Sequence, residues 1–292
     1  MKTSLGLKHV EDISELRKEL SYITQAGFDT VDLDLSMEGQ LKMLHSDNCI
    51  ERSKKARQVL DEYGLKVYQG HSPYNLHKMD DPEYDRIRHE EVLLSLPAAA
   101  ELGIEYMIVH PFFCFNLHDP LFLKWDELLE KNIQMYTGYV KRAAELGVKI
   151  CTENMFAMND SHTETHRTYF SNADDLNQLM DAVPGLTCCM DTGHALATHF
   201  DLGEMARKLG KRITTLHVHN NNHAFDLHLA PFQHYSTDWE GFCKAIKEIG
   251  YQGSMNLEVG GFTAVCPEAV MKAAYQYLYA TAKTLADMVE NA

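Results

Sequence analysis

The chain has 292 residues, 45% hydrophobic and 24% charged, a composition that supports one large core and argues against disorder. Its formal charge of −15 argues against a nucleic-acid partner, because phosphate neutralisation by Lys and Arg supplies most of that affinity. No long apolar run or signal-like N-terminal segment occurs, so the expectation is a cytoplasmic protein without a membrane span.

Short apolar or β-branched runs alternate with longer amphipathic segments along the whole chain, the rhythm of βαβα units. The first strand is predicted at Ser4–Leu7 and the first helix at Ile13–Ala26. Strands at Thr30–Leu35 and Lys66–His71 flank a helix at Ile50–Tyr63. A helix at Tyr84–Leu102 leads into a strand at Tyr106–His110, and one at Trp125–Leu146 into a strand at Lys149–Glu153. The C-terminal half continues with a helix at Asp174–Ala182, a strand at Thr187–Asp191 and a helix at Leu202–Leu209. A strand at Thr214–His219, a helix at Trp239–Ile249, a strand at Ser254–Glu258 and a closing helix at Glu268–Val289 complete the series.

Several predicted helices stop at a glycine that suits a left-handed cap: Gly27, Gly64, Gly103, Gly147, Gly210 and Gly250. Eight strand-then-helix units fit a single-domain (β/α)8 TIM barrel over residues 1–292, about the usual length for that fold. An open doubly wound sheet is the alternative, but no GxGxxG follows the first strand. The longest connections, 154–172 and 220–237, both follow strands, which in a barrel places them on the catalytic face. Seven cysteines form an odd set, and Cys151, Cys188 and Cys189 lie in apolar runs that suit reduced, buried thiols.

Six successive predicted strands end on a potential metal ligand: His71, His110, Glu153, Asp191, His219 and Glu258. Strand side chains alternate faces, so Gln69, Cys189, His217 and Asn256, each two residues earlier, add polar groups to the same inward face. Taken singly, a strand-end histidine usually hydrogen-bonds and a glutamate usually pairs with a neighbouring charge. Taken together, these groups are costly to bury without a cation, because like charges repel strongly where water is excluded. Mixed carboxylate and imidazole donors suit Mn²⁺, Zn²⁺, Mg²⁺ or Co²⁺, and the lack of thiolates at these positions argues against a structural zinc site. His194 follows Asp191 by three residues, and Asp226 and His228 follow His219; those last two also fit a capped surface turn.

At these positions the sequence resembles the xylose-isomerase-like TIM barrels, the superfamily joining sugar and sugar-phosphate isomerases and epimerases to endonuclease IV. The matching pieces are GHSPYNLH, MIVHP, CTEN, MDTGHA, LHVHNNN with DLHLAP, and DWEGFCKAIKEIGYQGSMNLEV. The resemblance implies a central divalent metal held by Glu153, Asp191, His219 and Glu258. By analogy with tagatose-epimerase-like members, Glu153 and Glu258 are the catalytic acid and base, moving a proton next to a metal-polarised ketose carbonyl through an enediolate. His194 is then expected to contact a small sugar or sugar-phosphate substrate.

The endonuclease-like members use three zinc ions, and their further ligands would fall on His71, His110, His194, Asp226 and His228. All five positions are filled here, so one ion is expected and up to three are allowed. The alternative function is therefore a multi-zinc phosphoesterase, and a second alternative is a sugar-binding barrel without turnover. Against the nuclease stands the text NMFAMNDSHTETHRTYF, which has no glycine-rich loop after the fifth strand. Downstream of His228, APFQHY also replaces the Pro-Gly-x-Gly turn common to both branches. Asp32 and Asp34 stand where many relatives carry one glutamate, a departure that surface solvation accounts for. If the substrate is phosphorylated, Arg167, beside His162 and His166, is the candidate cation. Phe112, Phe113, Phe115, Trp125 and Phe156 are candidates for the pocket wall, although core packing explains them equally well.

Overall fold

Alternating side chains give each strand two faces, and burial of both faces requires helices outside and a filled interior. The computed structural model, which describes residues 1–74, 77–78, 81–159 and 161–292, meets that requirement with a (β/α)8 barrel. Asn75 and Leu76 of the GHSPYNLH segment, and Asp160 of the loop 154–172, lie outside the described residues.

Strands β1 (Lys2–Leu7), β2 (Thr30–Asp34), β3 (Lys66–His71), β4 (Tyr106–Ile108) and β5 (Lys149–Glu153) pair in parallel in chain order. A two-stranded hairpin, β6 (Ala157–Met158) with β7 (Thr165–His166), stands on the loop after β5. The sheet then continues through β8 (Thr187–Asp191) and β9 (Ile213–His217), while β10 (Ser254–Leu257) pairs with β1. The barrel closes between β9 and β10, where Val218 N–H donates to the Asn256 carbonyl at 2.9 Å and Glu258 N–H to the Val218 carbonyl at 3.2 Å.

The outer layer comprises α1 (Ile13–Ala26), α2 (Glu38–Leu44), α3 (Cys49–Glu62), α4 (Pro82–Leu102), α5 (Trp125–Glu145) and α6 (Ala173–Ala182). It continues with α7 (Thr192–Ala197), α8 (Leu202–Leu209), α9 (Trp239–Glu248), α10 (Gly260–Ala264) and α11 (Glu268–Asn291). Side-chain caps fix several starts: Asp12 accepts from the N–H groups of Ser14 and Glu15, and Asn172 from those of Asp174 and Asp175. The predicted glycine stops hold, with Gly27 at φ 108° and Gly103 at φ 79°, left-handed conformations that β-carbon sterics disfavour in other residues.

The main core lies between strands and helices, where Leu5, Leu33, Met107, Ile150, Met190 and Leu257 are all nearly inaccessible. Residues of opposite parity face the barrel interior: Ile108, Cys151 and Cys189 form a small apolar plug, and Asp32, Gln69 and Asn256 are buried polar groups beside it. The seven cysteines are free thiols, as their apolar settings suggest.

Several elements depart from the sequence-based expectation. Helix α2 fills a connection predicted as loop, because seven residues are too few to show a helical period. Strands β4, β9 and β10 stop before His110, His219 and Glu258, so these ligand candidates sit one or two residues past the strand ends, at the barrel mouth. Helix α7 begins directly after β8, its N-terminus capped by Asp191 itself.

One buried clamp holds the loop that carries His110. The Asn132 side chain on α5 accepts from Phe112 N–H at 2.7 Å and donates to the Phe112 carbonyl at 2.7 Å. Replacing Asn132 by Leu orphans both backbone groups, and at about 1–3 kcal/mol each the loss of unfolding free energy is expected to reach about 2–4 kcal/mol. Urea titration checks this; a loss below about 1 kcal/mol would show that the loop finds other partners.

Candidate metal centre

Parallel register delivers the polar residues to one level. Asp191 pairs with His217 across β8 and β9, Glu153 with Cys189 across β5 and β8, and Asp32 with Gln69 across β2 and β3. Glu153 and Asp191 therefore point into the mouth from adjacent strands, both essentially inaccessible to solvent.

Three carboxylates converge on one ring nitrogen. His217 Nδ1 lies 2.7 Å from Glu153 Oε1, 3.4 Å from Glu258 Oε2 and 3.8 Å from Asp191 Oδ2. Its Nε2 is 3.3 Å from Asp32, and Asp32 in turn accepts from Gln69 Nε2 and Asn256 Nδ2, each at 2.9 Å. Sequence reasoning placed His217 on the inward face without a role and assigned Asp32 to solvation. The structure corrects both: Asp32 is only 4% exposed and anchors the hub ring. The signal was present in the period-2 alternation, which puts Asp32, Gln69 and Asn256 on the same inward side.

His219 faces the same group, its Nε2 lying 3.0 Å from Asp191 Oδ2 and 3.9 Å from Glu258 Oε2. Gly193 makes this possible, because a Cβ there would stand 1.8 Å from His219 Cε1. Thr192 fixes the backbone below: its hydroxyl donates to the His219 carbonyl and accepts from His219 N–H. Asp191 divides its two oxygens, Oδ1 capping α7 through His194 N–H at 2.6 Å and Oδ2 meeting His219.

The five further candidates form two wings. On one side, His110 Nε2 and His71 Nε2 lie 3.2 and 3.6 Å from Glu153 Oε2. On the other, His228 Nε2 and His194 Nε2 lie 2.9 and 3.5 Å from Asp226 Oδ2. The Asp226 and His228 pair thus belongs to the centre rather than to a surface turn. His228 takes a left-handed conformation, φ 47°, and its ring stacks on His219 at 4.2 Å, a strained backbone held by the site around it.

Backbone carbonyls orient three of these rings. His71 Nδ1–H donates to the Ser72 carbonyl at 2.7 Å, His194 Nδ1–H to Asn154 at 2.8 Å, and His228 Nδ1–H to Glu258 at 2.9 Å. A carbonyl only accepts, so the neutral form of each ring carries its hydrogen on Nδ1 and turns the Nε2 lone pair toward a carboxylate. That is the arrangement by which proteins fix metal-binding imidazoles.

The electrostatics follow the same geometry. Burial favours a protonated Glu153, but His217, His110 and His71 more than offset it and hold the carboxyl well below its usual range. Burial pushes His110 down to about 4, against the pull of Glu153. Burial also opposes charge on His194, yet Asp191 and Asp226 raise it well above the usual imidazole range. Glu258 is raised chiefly by burial. Carboxylates that strengthen a proton's hold on nearby rings present the same field to a divalent cation.

The donor set fits such an ion. Glu153 Oε2 and Asp226 Oδ1, both turned toward imidazoles of the centre, are buried without a hydrogen-bond partner, although buried polar atoms are usually satisfied. Several groups of three donors lie within 4.8 Å of one another, among them His71 with His110 and Glu153, and His219 with Asp226 and His228. The donors of these two groups are oxygen or imidazole, which suits Mn²⁺, Zn²⁺, Mg²⁺ or Co²⁺, while a further group joins the Cys189 thiol to Glu153 and His217.

Of the predicted wall, Phe113, Phe115 and Phe156 line the cavity over the centre. Phe112 instead packs with Cys114 and Leu128, and Trp125 against Tyr169 and Phe170. Arg167 is not brought to the site. Its guanidinium donates to the carbonyls of Thr198 and His199 and lies over the Phe200 ring, lining a separate cavity between α6 and α8. The hairpin β6–β7 turns the chain so that Arg167 meets the end of α7, a placement that loop sequence does not encode.

Residues 20–281 match the xylose isomerase-like TIM barrel family. The uncharacterised protein y4fM of Sinorhizobium fredii is 24% identical, over 95% of this chain and 90% of its own. A D-tagatose 3-epimerase-like protein of known structure superposes with a TM-score of 0.70 at 21% identity, covering 100% of this chain and 99% of that one. The 3-keto-D-glucoside 4-epimerase YcjR of E. coli gives 0.70 at 17% identity, covering 96% and 100%.

Replacing Gly193 by Ala sets a methyl against the His219 ring and is expected to weaken divalent-metal affinity about 10–100-fold, as disturbance of ligand support usually does. Calorimetric titration with Mn²⁺ or Zn²⁺, alongside a thermal melt that changes little, checks this. Unchanged affinity would remove His219 from the ligand set.

Proposed function

The chain belongs to the xylose isomerase-like TIM barrel family, and from that premise we propose that it is a divalent-metal-dependent sugar isomerase or epimerase. The observation that carries this reading is the pair of glutamates, Glu153 fully buried and Glu258 partly exposed, which reach one cavity from the ends of β5 and β10 and meet at His217 Nδ1, 2.7 and 3.4 Å away. The epimerases that share the fold support it.

Glu153, Asp191, His219 and Glu258 would hold the ion, with His217 as their shared neighbour. When bound, a divalent cation supplies Lewis-acid polarisation of a carbonyl and its neighbouring hydroxyl. Either glutamate then removes the proton from the carbon next to the carbonyl, and the other returns it, to the opposite face or to the adjacent carbon. His217 keeps Glu153 Oε1 engaged and so aims Oε2 at the cavity. His194, 6% exposed and next to Phe156, contacts the sugar, while Phe113, Phe115 and Phe156 exclude water from the exchanging proton.

A second reading has its own observation. Both wings are complete, with His71 and His110 on Glu153 and with His194 and His228 on Asp226, so three ions could be held in a multi-zinc phosphoesterase. Metal analysis separates the two: one ion per chain supports the isomerase, and three with hydrolysis of a phosphate diester support the alternative.

The direct test is incubation of the metal-loaded protein with ketoses in deuterated water, followed by NMR. Exchange of the proton next to the carbonyl is expected, and Glu153→Gln and Glu258→Gln should each slow it about 10²–10⁴-fold. Exchange that persists in both variants would sink the assignment.

A further inference from the structure

Two cavities meet at the metal centre. The inner one, about 160 Å³, lies over the ligand ring beneath Phe113, Phe115 and Phe156. The outer one, about 350 Å³, extends toward the ends of β1, β2 and β10. They share the side chains of His71, Tyr74, His228 and Glu258, so the two lie side by side in the mouth. A single sugar ring has roughly the bulk of six waters at about 30 Å³ each. One ring therefore matches the inner cavity alone and leaves the larger outer one without a role.

The outer wall is built for contact. Met37, Tyr74 and Leu227 are each 42% exposed, among the large apolar side chains left open on the molecule, and all three face this one cavity. Convergence of exposed apolar groups on a concave surface marks a binding site. Polar groups stand beside them. Asp34 engages Ser36 N–H through Oδ1, leaving Oδ2 to accept from a hydroxyl. Lys8 reaches the cavity because residue 260 is glycine: a Cβ there would lie 2.2 Å from Lys8 Cε and 2.7 Å from its Nζ.

Charge decides what the cavity takes. Among the described residues of its lining, Lys8 is the one lysine or arginine, against the carboxylates of Asp32, Asp34 and Glu258. His71 and His228 also line the cavity, but their rings face Glu153, Asp226 and Glu258, so on its open side a phosphate dianion would meet Asp34 with Lys8 as the one lysine to pair with, whereas neutral hydroxyls can donate to Asp34 and accept from Lys8. The C–H face of a sugar ring suits Tyr74 with Met37 and Leu227.

We propose that the outer cavity is a subsite for a neutral, polyhydroxylated substituent, so that the substrate is a glycosylated keto sugar rather than a free monosaccharide or a sugar phosphate. The proposal rests on the isomerase or epimerase reading of the centre, and deepens it by naming the substrate class. The keto sugar places its reacting carbons between Glu153 and Glu258, and the second ring lies in the outer cavity.

The test is calorimetric titration of the metal-loaded protein with fructose, fructose 6-phosphate, and the glucosyl-fructoses palatinose and turanose, with deuterium exchange recorded separately on each. At least one disaccharide is expected to bind ten or more times tighter than both fructose and its phosphate. Met37→Trp, which fills the outer cavity, and Asp34→Asn should each bring the disaccharide-to-fructose affinity ratio down toward one. Equal affinity for fructose and both disaccharides, or tightest binding of the phosphate, overturns the proposal. Exchange in fructose without disaccharide preference overturns the subsite and keeps the isomerase reading. Disaccharide preference without exchange in any ketose keeps the subsite and overturns that reading.

Discussion

The contact between His217 and the Glu153 carboxylate orders the rest of the mouth. Three carboxylates, two of them fully buried, surround one imidazole nitrogen and repel one another, and positive charge among them relieves that repulsion. His217 carries part of this burden, because Cys189, Glu258 and Glu153 raise its proton affinity well above the usual range despite complete burial. The far side of the ring meets Asp32, itself gripped by Gln69 and Asn256, so a chain of polar contacts ties β2, β3, β10, β9 and β5 together across the barrel. With Oε1 of Glu153 fixed in this way, Oε2 is left facing His71 and His110.

The barrel supplies what such a cluster needs, which is rigidity from below and freedom above. Strand pairing fixes Glu153 and Asp191 at one level, while the residues just past the ends of β4, β9 and β10 bring His110, His219 and Glu258 to the rim. Small residues and strained ones then complete the fit. Gly193 yields space to the His219 ring, and His228 accepts a left-handed backbone so that its ring can stack there. Carbonyls of Ser72, Asn154 and Glu258 turn three imidazoles inward, so the loops set tautomer and orientation while the strands set position.

The same architecture divides the mouth into two chemistries. Around Glu153, His194 and Asp226 the walls are aromatic, built by Phe113, Phe115 and Phe156. Toward β1 and β2 they combine exposed apolar side chains with Asp34 and Lys8, groups suited to holding a sugar rather than reacting with it. The connections after β4 and β5 supply the aromatic wall, and the short turns after β1 and β2 leave the other side open, edged by Leu227 from the connection after β9.

Much of this was legible in the chain itself. Apolar periodicity and glycine stops marked the eight strand and helix units, and the recurrence of acids and histidines at strand ends pointed to His71, His110, Glu153, Asp191, His219 and Glu258, of which the family resemblance singled out the last four. Such patterns are local, and local physics generates them: strand alternation decides facing, and a left-handed cap calls for glycine. The hub role of His217, the burial of Asp32, the convergence of Asp226 and His228 on the ring, and the removal of Arg167 to another cavity were not local. They depend on which strands become neighbours and on where loops fold back, and only closure of the barrel brings residue 32 beside residue 217, or residue 194 beside residue 226.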